Sequence, residues 1–418
     1  MFQVLSRSWA LLLGMMLLMV GNGLQGTLLG VRGGIEGFST FEMSIVMSAY
    51  FAGFLGGSRV APEMIRRVGH VRVFAALASF ISAILILYPA FAHPVAWALG
   101  RVVIGFCFSG VYVTAESWLN NSADNTNRGK ALSVYMIVQM FGIVSAQVLL
   151  AMGDVSGYAL FIVSSVLVSI SFAPILLSIS PTPAFETAKP MPLKTLIKIS
   201  PLGCFGMFLL GGVFSAQFGM SAVYGVAAGL TIAQISLFVS SIYVGALLMQ
   251  YPIGWFSDRV DRRLVILIVA SLGGVMSLVA FSFDQYFSAL LVAAFIIGGT
   301  SNPLYSLLIA YTNDYLEADD MASASGGLIF INGMGAIAGP LVTGKMMDTF
   351  GTQAFFMVIA TLMLTLTGYA GYRMTQRSRD GIEDGLYAPV MPSSSPVAVE
   401  VASEYYIETA MDEEENET

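Results

Sequence analysis

Long apolar stretches, separated by short polar segments, fill most of the chain. A helix needs roughly 20 apolar residues to cross the hydrocarbon core of a bilayer, and each stretch has about that length. The pattern therefore predicts an all-α membrane protein with twelve transmembrane helices. They lie near residues 9–31, 42–60, 73–92, 95–119, 130–153, 157–179, 200–224, 233–256, 264–283, 286–311, 323–347 and 351–372.

The first stretch begins like a signal peptide, because Arg7 precedes the apolar run 11–20. The apolar run continues beyond the length of a signal sequence, and no clear small-residue cleavage site follows it. We therefore interpret this stretch as an uncleaved first transmembrane helix.

Composition supports this class, since 56% of the 418 residues are apolar and only 11% are charged, against about 25% charged in soluble domains. The net charge of −7 arises at the C-terminus, where residues 380–418 hold eleven acids and no Lys or Arg. Residues 1–379 therefore contain 15 of the 26 acids and all 19 Lys and Arg residues. This balance gives no reason to expect a nucleic-acid partner, and residues 411–418 have the composition of a solvated, disordered tail.

The Lys and Arg residues predict the orientation in the membrane. With the N-terminus in the cytoplasm, sixteen of the 19 lie in cytoplasmic loops or tails, and only Arg32 and Lys345 lie in outer loops. Cytoplasmic loops are enriched in Lys and Arg. The bias predicts a multi-pass protein of the cell membrane, a bacterial inner membrane, with both termini in the cytoplasm.

The sequence also repeats itself at a near-constant shift. A shift of 192 superposes Gln25 on Gln217, Gly53 on Gly245, and the capping box 39–42 on the capping box 231–234. From the fourth helix onward a shift of 193 superposes Gly105/Gly298, Tyr112/Tyr305, Asn120/Asn313, Gln139/Asn332 and Gly142/Gly335. We infer two pseudo-symmetric six-helix bundles, residues 1–180 and 200–376. A cytoplasmic loop (181–199) joins them, and an acidic, disordered tail (377–418) follows.

A short charged loop lies between predicted helices 8 and 9. It contains Gly254, Asp258, Arg259, Arg262 and Arg263, and the repeat places Arg66 and Arg67 at the same point of the first half. The later copy resembles the loop signature of the major facilitator superfamily. The earlier copy has Arg66 where that family has an aspartate, and a plain positive-inside loop explains it equally well.

Other segments strengthen this resemblance. Segment 101–105, which runs from Arg101 to Gly105, resembles the intramembrane arginine motif of the superfamily. Its glycine-rich packing motif is matched around Gly142 and around Gly335, Gly339 and Pro340. Segments 116–119, 127–129 and 135–136 resemble the YcaD-like branch in particular. The resemblance implies the major facilitator fold, with a central cavity lined by helices 1, 4, 7 and 10 that opens alternately to either side.

Apart from Glu42, Arg59, Lys130 and Lys345 at span ends, two charged residues lie within predicted spans. Arg101 lies about two turns inside helix 4, where an unpaired cation costs at least ~2.5 kcal/mol. In the functional interpretation, Arg101 faces a wet cavity, where it anchors an anionic group of the substrate or influences a nearby proton site. In the structural interpretation, it reaches toward the membrane surface or binds backbone carbonyls. Glu116, near the cytoplasmic end of the same helix, is either a protonation site or an ion-pair partner of Arg66 or Arg67, and we expect the ion pair.

Uncharged polar residues within the spans are the other candidates for a translocation path. Hydrogen bonds between helices are their usual role, whereas the repeat pairs favour cavity lining. The candidates are Asn22, Gln25, Tyr112, Gln139, Gln217, Asn302, Tyr305 and Asn332.

Taken as a whole, the sequence predicts a secondary active transporter that moves a small solute by alternating access, with a proton as candidate coupling ion. The alternative is a transporter-fold sensor or assembly factor; a membrane-embedded enzyme is less favoured, because no catalytic constellation or metal-ligand spacing is present. We expect no enzyme activity, no cofactor and no metal. The expected partners are the solute and the lipid bilayer, and we expect a monomer.

Overall fold

The structure is a computed structural model that describes residues 2–122, 128–177 and 191–376, together with 387, 389–393, 395 and 397–399. Several features singled out from the sequence lie outside the described residues. These are Asn127, Lys189, Arg377, Arg379, the linker as far as residue 190 and the acidic end 411–418.

The first half of the described chain is a run of helices joined by short turns. A one-residue break at Phe172 divides the last span into two pieces, and α1 has a non-helical residue at Ser8. The helices are α1 (Phe2–Ile35), α2 (Thr40–Val68), α3 (His70–Ala90), α4 (Pro94–Ser122), α5 (Arg128–Met152), α6 (Ala159–Ser171) and α7 (Ala173–Leu177).

The second half repeats this order after the short helix α8 (Leu193–Ile199). Its first span is interrupted by one turn of π-helix at Ala216–Met220, between α9 and α10. The helices are α9 (Pro201–Ser215), α10 (Ser221–Ala227), α11 (Ile232–Ser257), α12 (Arg262–Ser282), α13 (Phe287–Asn313), α14 (Ala318–Phe350) and α15 (Ala354–Gln376).

Eleven helical segments of the described residues are long and apolar enough to cross a bilayer. The remaining long helix is α2, which has 29 residues but carries charged side chains at both ends. It packs against α4 and α14 and so lies among the other spanning helices. We count α2 as the twelfth transmembrane helix, in agreement with the predicted fold.

The two predicted capping boxes are present and begin equivalent helices. At the start of α2, Ser39 Oγ accepts from the Glu42 N–H at 3.2 Å, and Glu42 accepts from the Ser39 N–H at 2.8 Å. At the start of α11, Thr231 and Gln234 make the same pair of bonds. Each box satisfies N–H groups that a helix leaves free at its first turn.

Close glycine contacts show the same pseudo-symmetry. A Cβ on any of four glycines would overlap a backbone carbonyl of the neighbouring helix, so only glycine permits this approach. The pairs are Gly53 with Val102 and Gly105 with Tyr50 between α2 and α4, and Gly245 with Phe295 and Gly298 with Ile242 between α11 and α13. Each contact recurs at a shift of 192 or 193, as the repeat predicts.

The glycine-rich packing motifs also lie at close helix contacts. A Cβ on Gly335 would overlap the Phe208 carbonyl of α9, and one on Gly339 would overlap the Ser215 hydroxyl. Gly142 approaches α1, where its Cβ would lie 3.0 Å from the Met16 carbonyl. Pro340 lies inside α14.

The two halves meet along α1 with α10, α2 with α14 and α5 with α11. We call the end of the bundles that carries Arg66, Arg67, Arg259 and Arg263 the basic face. At the opposite face, Gly30 and Gly34 of α1 lie against Ala222 and Val226 at α10. Gly344 of α14 also lies against Ser44 of α2, so direct helix contacts join the halves there.

Candidate functional site

A central cavity lies between the two halves and contains about 1310 Å³ of space, part of it open to solvent. Its walls come from α1, α2, α4 and α5 on one side and from the α9–α10 span, α11, α13 and α14 on the other. A site shared between repeats in this way is typical of carriers that rock one repeat against the other.

Arg101 is the charged residue of the cavity wall within the described part of the chain. Its side chain is only 4% exposed. One guanidinium nitrogen donates to Gln25 Oε1 at 3.0 Å, and another lies 3.4 Å from Met47 Sδ. The guanidinium carbon lies 4.6 Å from the centre of the Tyr50 ring. The arginine is thus held by an amide, a thioether and an aromatic face rather than by a carboxylate.

Side-chain amides from both halves line the same cavity as this cation. On α1, Gln25 donates to Asn22 at 3.2 Å, and both residues line the cavity. On the opposite wall, Gln217 accepts from Ser301 Oγ at 2.9 Å, and Asn302 lies beside it. Asn332 of α14 lines the cavity and donates to the Met207 carbonyl at 2.9 Å. Together they offer neutral donors and acceptors to a polar solute.

The remaining sequence candidates lie in different places. Tyr112 lines the cavity and donates to Met19 Sδ at 3.2 Å. Its repeat partner Tyr305 is fully buried against Phe214, outside the lining. Gln139 is buried beside a smaller cavity near Tyr135. The roles assigned to all these residues stay predictions.

Sequence reasoning missed two features of the cavity. The π-helical turn carries Gln217 and Gly219 into the wall, and π turns inside α-helices often mark functional sites. Aromatic residues also line the wall; Phe218 stacks on Tyr243 with ring centres 4.8 Å apart. Tyr243 matches Phe51 of α2 in the repeat. The repeat pairing of these two aromatic residues could have predicted the aromatic wall. The apolar periodicity of the sequence gives no signal for the π turn.

On the basic face, the loop between α11 and α12 forms a buried ion pair. Arg262 contacts Asp314 at 2.5 Å, with side chains only 1% and 3% exposed. Arg263 binds Asp261 at 2.9 Å, and Arg259 lies over the Trp255 ring at 4.2 Å. The network joins the start of α12 to the residue that follows α13.

The equivalent loop of the first half is built differently. Arg66 and Arg67 both bind Glu63, one turn earlier on the same helix, at 2.8 and 2.6 Å. The expected ion pair between Glu116 and these arginines is therefore wrong. Glu116 is 1% exposed and accepts from the backbone N–H of Ser395 at 2.8 Å. The nearer Glu63 satisfies the arginines because it lies one helical turn away on the same exposed face.

The residues 387, 389–393, 395 and 397–399, which we call the C-terminal segment, lie on the basic face between the halves. Asp258, at the end of α11, accepts from the Tyr387 N–H at 2.7 Å. Burial raises the pKa of the Asp258 carboxyl, although the Tyr387 N–H and the nearby arginines oppose this shift. Met391, Pro392 and Ser393 reach the central cavity. The sequence predicts a disordered tail over residues 377–418, whereas the described residues of this segment pack against the helices. The solvated end predicted at 411–418 lies outside the described residues.

The fold and cavity agree with the comparison to known families. The family model of the Major Facilitator Superfamily matches residues 11–231 and 203–385. The chain belongs to this superfamily. Among curated relatives, the uncharacterized MFS-type transporter YcaD of Escherichia coli O45:K1 (strain S88 / ExPEC) is 27% identical over 375 residues, 87% of this chain and 95% of YcaD. YcaD of Escherichia coli O81 (strain ED1a) matches equally well. The resemblance to YcaD inferred from the sequence is confirmed.

Solved structures of two other transporters share the fold. A mutant form of the nucleoside transporter NupG has a TM-score of 0.74 at 16% identity, covering 88% of this chain and all of NupG. A bacterial homologue of the human lysosomal transporter Spinster, inward-facing and unoccupied, has a TM-score of 0.68 at 13% identity. That match covers 97% of this chain and 98% of the homologue. The chain is therefore a multi-pass membrane transporter of the major facilitator fold.

Proposed function

We propose that this protein is a secondary active transporter that moves a small anionic solute by alternating access through the central cavity. The solute carries a carboxylate or a phosphate that binds Arg101, while amides of both halves bind its neutral polar groups. The basic face is cytoplasmic, in keeping with the Lys and Arg distribution. A proton is the candidate coupling ion.

The observation that carries the proposal is the charge of the cavity wall. Arg101 lies in the first half of a membrane-spanning helix, and the wall contains no carboxylate among the described residues. Arg101 Nε has no hydrogen-bond partner in the described structure. A cation without a counter-charge in a low-dielectric site is costly. An anionic solute would supply the missing charge, and a guanidinium fork matches carboxylate and phosphate geometry.

The repeat supports a specific role for this cation. At a shift of 193 the residue equivalent to Arg101 is Ala294, which is buried and apolar. The charge is therefore a feature of one half, added to a packing scheme that both halves share. If Arg101 served only the helix packing that the two halves share, we would expect a cation at the equivalent position of both halves.

Ligand binding to the purified protein tests this proposal. A thermal-shift screen compares lactate, succinate, citrate and glucose 6-phosphate with glucose, glycerol and choline. We expect at least one anion, and none of the neutral or cationic compounds, to raise the unfolding midpoint, because a ligand of the native state stabilises it. Arg101→Ala should abolish the shift and Arg101→Lys should reduce it, since lysine keeps the charge but loses the planar fork.

Transport in proteoliposomes then separates a carrier from a sensor. An anion that passes the screen should accumulate inside, and Arg101→Ala should reduce its uptake by more than about tenfold, a loss of at least about 1.4 kcal/mol. Arg59→Ala is the matched control, because Arg59 is an exposed cation that lies over Phe330, at the edge of the cavity wall. Uptake that requires an imposed pH gradient would identify proton coupling. Binding without uptake would favour the sensor.

A further inference from the structure

The C-terminal segment crosses from one half of the protein to the other. In the second half, Tyr387 is bound by Asp258, and Val390 exchanges two hydrogen bonds with Ser306 of α13 at 2.9 and 3.1 Å. In the first half, the Ser395 N–H donates to Glu116 of α4 at 2.8 Å. Ser306 and Glu116 are buried side chains of α13 and α4, whereas Asp258 lies at the exposed end of α11. The segment therefore reaches from the rim into the path.

Apolar contacts hold the same segment. Val390, Met391, Ala398 and Val399 are each at most 6% exposed. Met391 packs in a cluster with Met140 of α5 and Ala246 of α11, one residue from each half. Burial of apolar surface provides most of the energy of such docking. The segment therefore fills a cleft between α5 and α11 in addition to forming its polar contacts.

The composition of this segment differs sharply from that of its flanks. Residues 387–399 contain no charged residue and three prolines, at 389, 392 and 396. Residues 380–386 contain three acids, and residues 400–418 contain eight. Prolines oppose helix and sheet formation and favour an extended chain. An uncharged stretch suits an apolar cleft, because a charge in the membrane interior is costly.

The position of the segment determines its effect on transport. On the face opposite to the basic face, α1 contacts α10 and α2 contacts α14 directly. On the basic face, Met391, Pro392 and Ser393 form part of the cavity wall itself. To close the basic face, a carrier of this fold must bring α4 and α13 closer together at that end, beside the existing contact of α5 with α11. The segment occupies the space through which these helices would move and through which a solute would leave.

We propose that the C-terminal segment forms an autoinhibitory plug, which closes the cavity from the basic face and must leave for the transport cycle to run. The plug binds both halves, so it holds the carrier in the conformation open toward the basic face. The proposal goes beyond the solute and its anchor, since it depends on neither the identity of the solute nor the role of Arg101.

The test measures access to the cavity and needs no solute. Gly26 lines the cavity, and a Cβ at this position would meet no atom within 4 Å, so Gly26→Cys introduces a thiol into open space. The buried native thiols are removed by Cys107→Ala and Cys204→Ala. The protein in nanodiscs is treated with a bulky hydrophilic maleimide, which reaches both faces. We compare the full chain with a chain that ends at residue 376.

We expect truncation to speed the labelling of the Gly26→Cys thiol by about tenfold or more, because opening then no longer requires plug release. Ser395→Pro removes the N–H that binds Glu116 and should give an intermediate increase. Ser395→Ala keeps that N–H and is its matched control. A thiol placed by Thr195→Cys, on the exposed surface of α8, should label equally in every variant and shows that the fold is intact.

A synthetic peptide with the sequence 387–399 supplies a second measurement. Added to the truncated protein, it should slow labelling again, whereas a peptide with the same residues in scrambled order should not. Equal labelling rates in the full and truncated chains would overturn the proposal. A Gly26→Cys thiol that stays unlabelled after truncation, while the Thr195→Cys thiol labels normally, would overturn it as well.

Discussion

The two halves of this transporter share their helix packing and differ at the basic face. Between α11 and α12, Arg262 forms a buried ion pair with Asp314. The residue at the same point of the first half is His70, which lies 3.0 Å from Ser117 of α4. Arg66 and Arg67 bind Glu63 on their own helix, and their side chains are 68% and 73% exposed. The second loop thus joins two helices through buried charge, whereas the first has a neutral contact and a solvated charge cluster.

This difference shows which parts of the repeat are constrained by packing. Glycine contacts recur in both halves because each permits the same close approach of two helices. Charged groups are not constrained in this way, so one copy holds a buried network and the other a local one. Arg101, opposite Ala294 in the repeat, follows the same rule in the cavity. In the proposed function, this division lets one half bind the solute through Arg101 while the charged network of the other half supports the motion.

The largest effect should follow loss of the buried ion pair. Arg262→Ala leaves the Asp314 carboxylate buried without its arginine, and breaking such a pair costs about 3–5 kcal/mol. We expect a clear fall in the thermal unfolding midpoint of the detergent-purified protein, measured by intrinsic fluorescence. Arg66→Ala, in the exposed cluster of the first half, should leave the midpoint unchanged.

A double substitution tests the cause of this fall. Arg262→Met combined with Asp314→Leu should recover most of the lost stability, because both charges of the pair are then removed. An equal fall for Arg262→Ala and Arg66→Ala would contradict the asymmetry.

A smaller effect should be the same in both halves. Gly53→Val and Gly245→Val each force a side chain into the carbonyl of a neighbouring helix, and overpacking of this kind costs about 1–3 kcal/mol. We expect similar losses of thermal stability for the two variants. Gly26→Ala, whose added methyl group enters open space, is the control and should not change stability. A loss confined to one of the two valine variants would show that the pseudo-symmetric contacts differ in strength.

The smallest effect concerns the rim carboxylates. Asp258→Ala removes the acceptor for the Tyr387 N–H. One hydrogen bond contributes about 1 kcal/mol, so labelling of the Gly26→Cys thiol should rise by about fivefold, less than after truncation. Glu63→Ala removes the carboxylate of the exposed charge cluster in the first half, where Glu63 binds Arg66 and Arg67. It should leave the labelling rate unchanged. Equal acceleration by both substitutions would show that the rim acts through its net charge rather than through the Tyr387 contact.

Local sequence signals predicted much of the fold. The shift of 192 to 193 residues anticipated the capping boxes and the glycine contacts, because caps and close approaches depend on a few residues at fixed spacing. It also identified Gln25 and Gln217, which both line the cavity, one from each half. Arg101 could be assigned to the cavity because an isolated cation in a span has few other stable positions.

Two features could not be found in this way. The partner of Glu116 lies 279 residues further along the chain, in a proline-rich stretch with the composition of a loose tail. Neither periodicity nor repeat symmetry constrains a segment that has no counterpart in the other half. The π turn at Ala216–Met220 depends on one additional residue in a helical turn, which leaves the apolar pattern almost unchanged.

Arg101, the one cation of the cavity wall among the described residues, also affects the energetics of the cycle in a polarised membrane. In the proposed function, the empty cavity carries one positive charge, whereas a bound monovalent anion makes the site neutral. Moving a full charge through a potential of 100 mV changes the energy by about 2.3 kcal/mol. A potential that is negative in the cytoplasm would therefore act on the return of the empty carrier and leave the loaded step almost unaffected. A doubly charged solute would leave the loaded carrier with one negative charge, so the loaded step would then depend on the potential as well. The voltage dependence of transport therefore reports the valence of the solute.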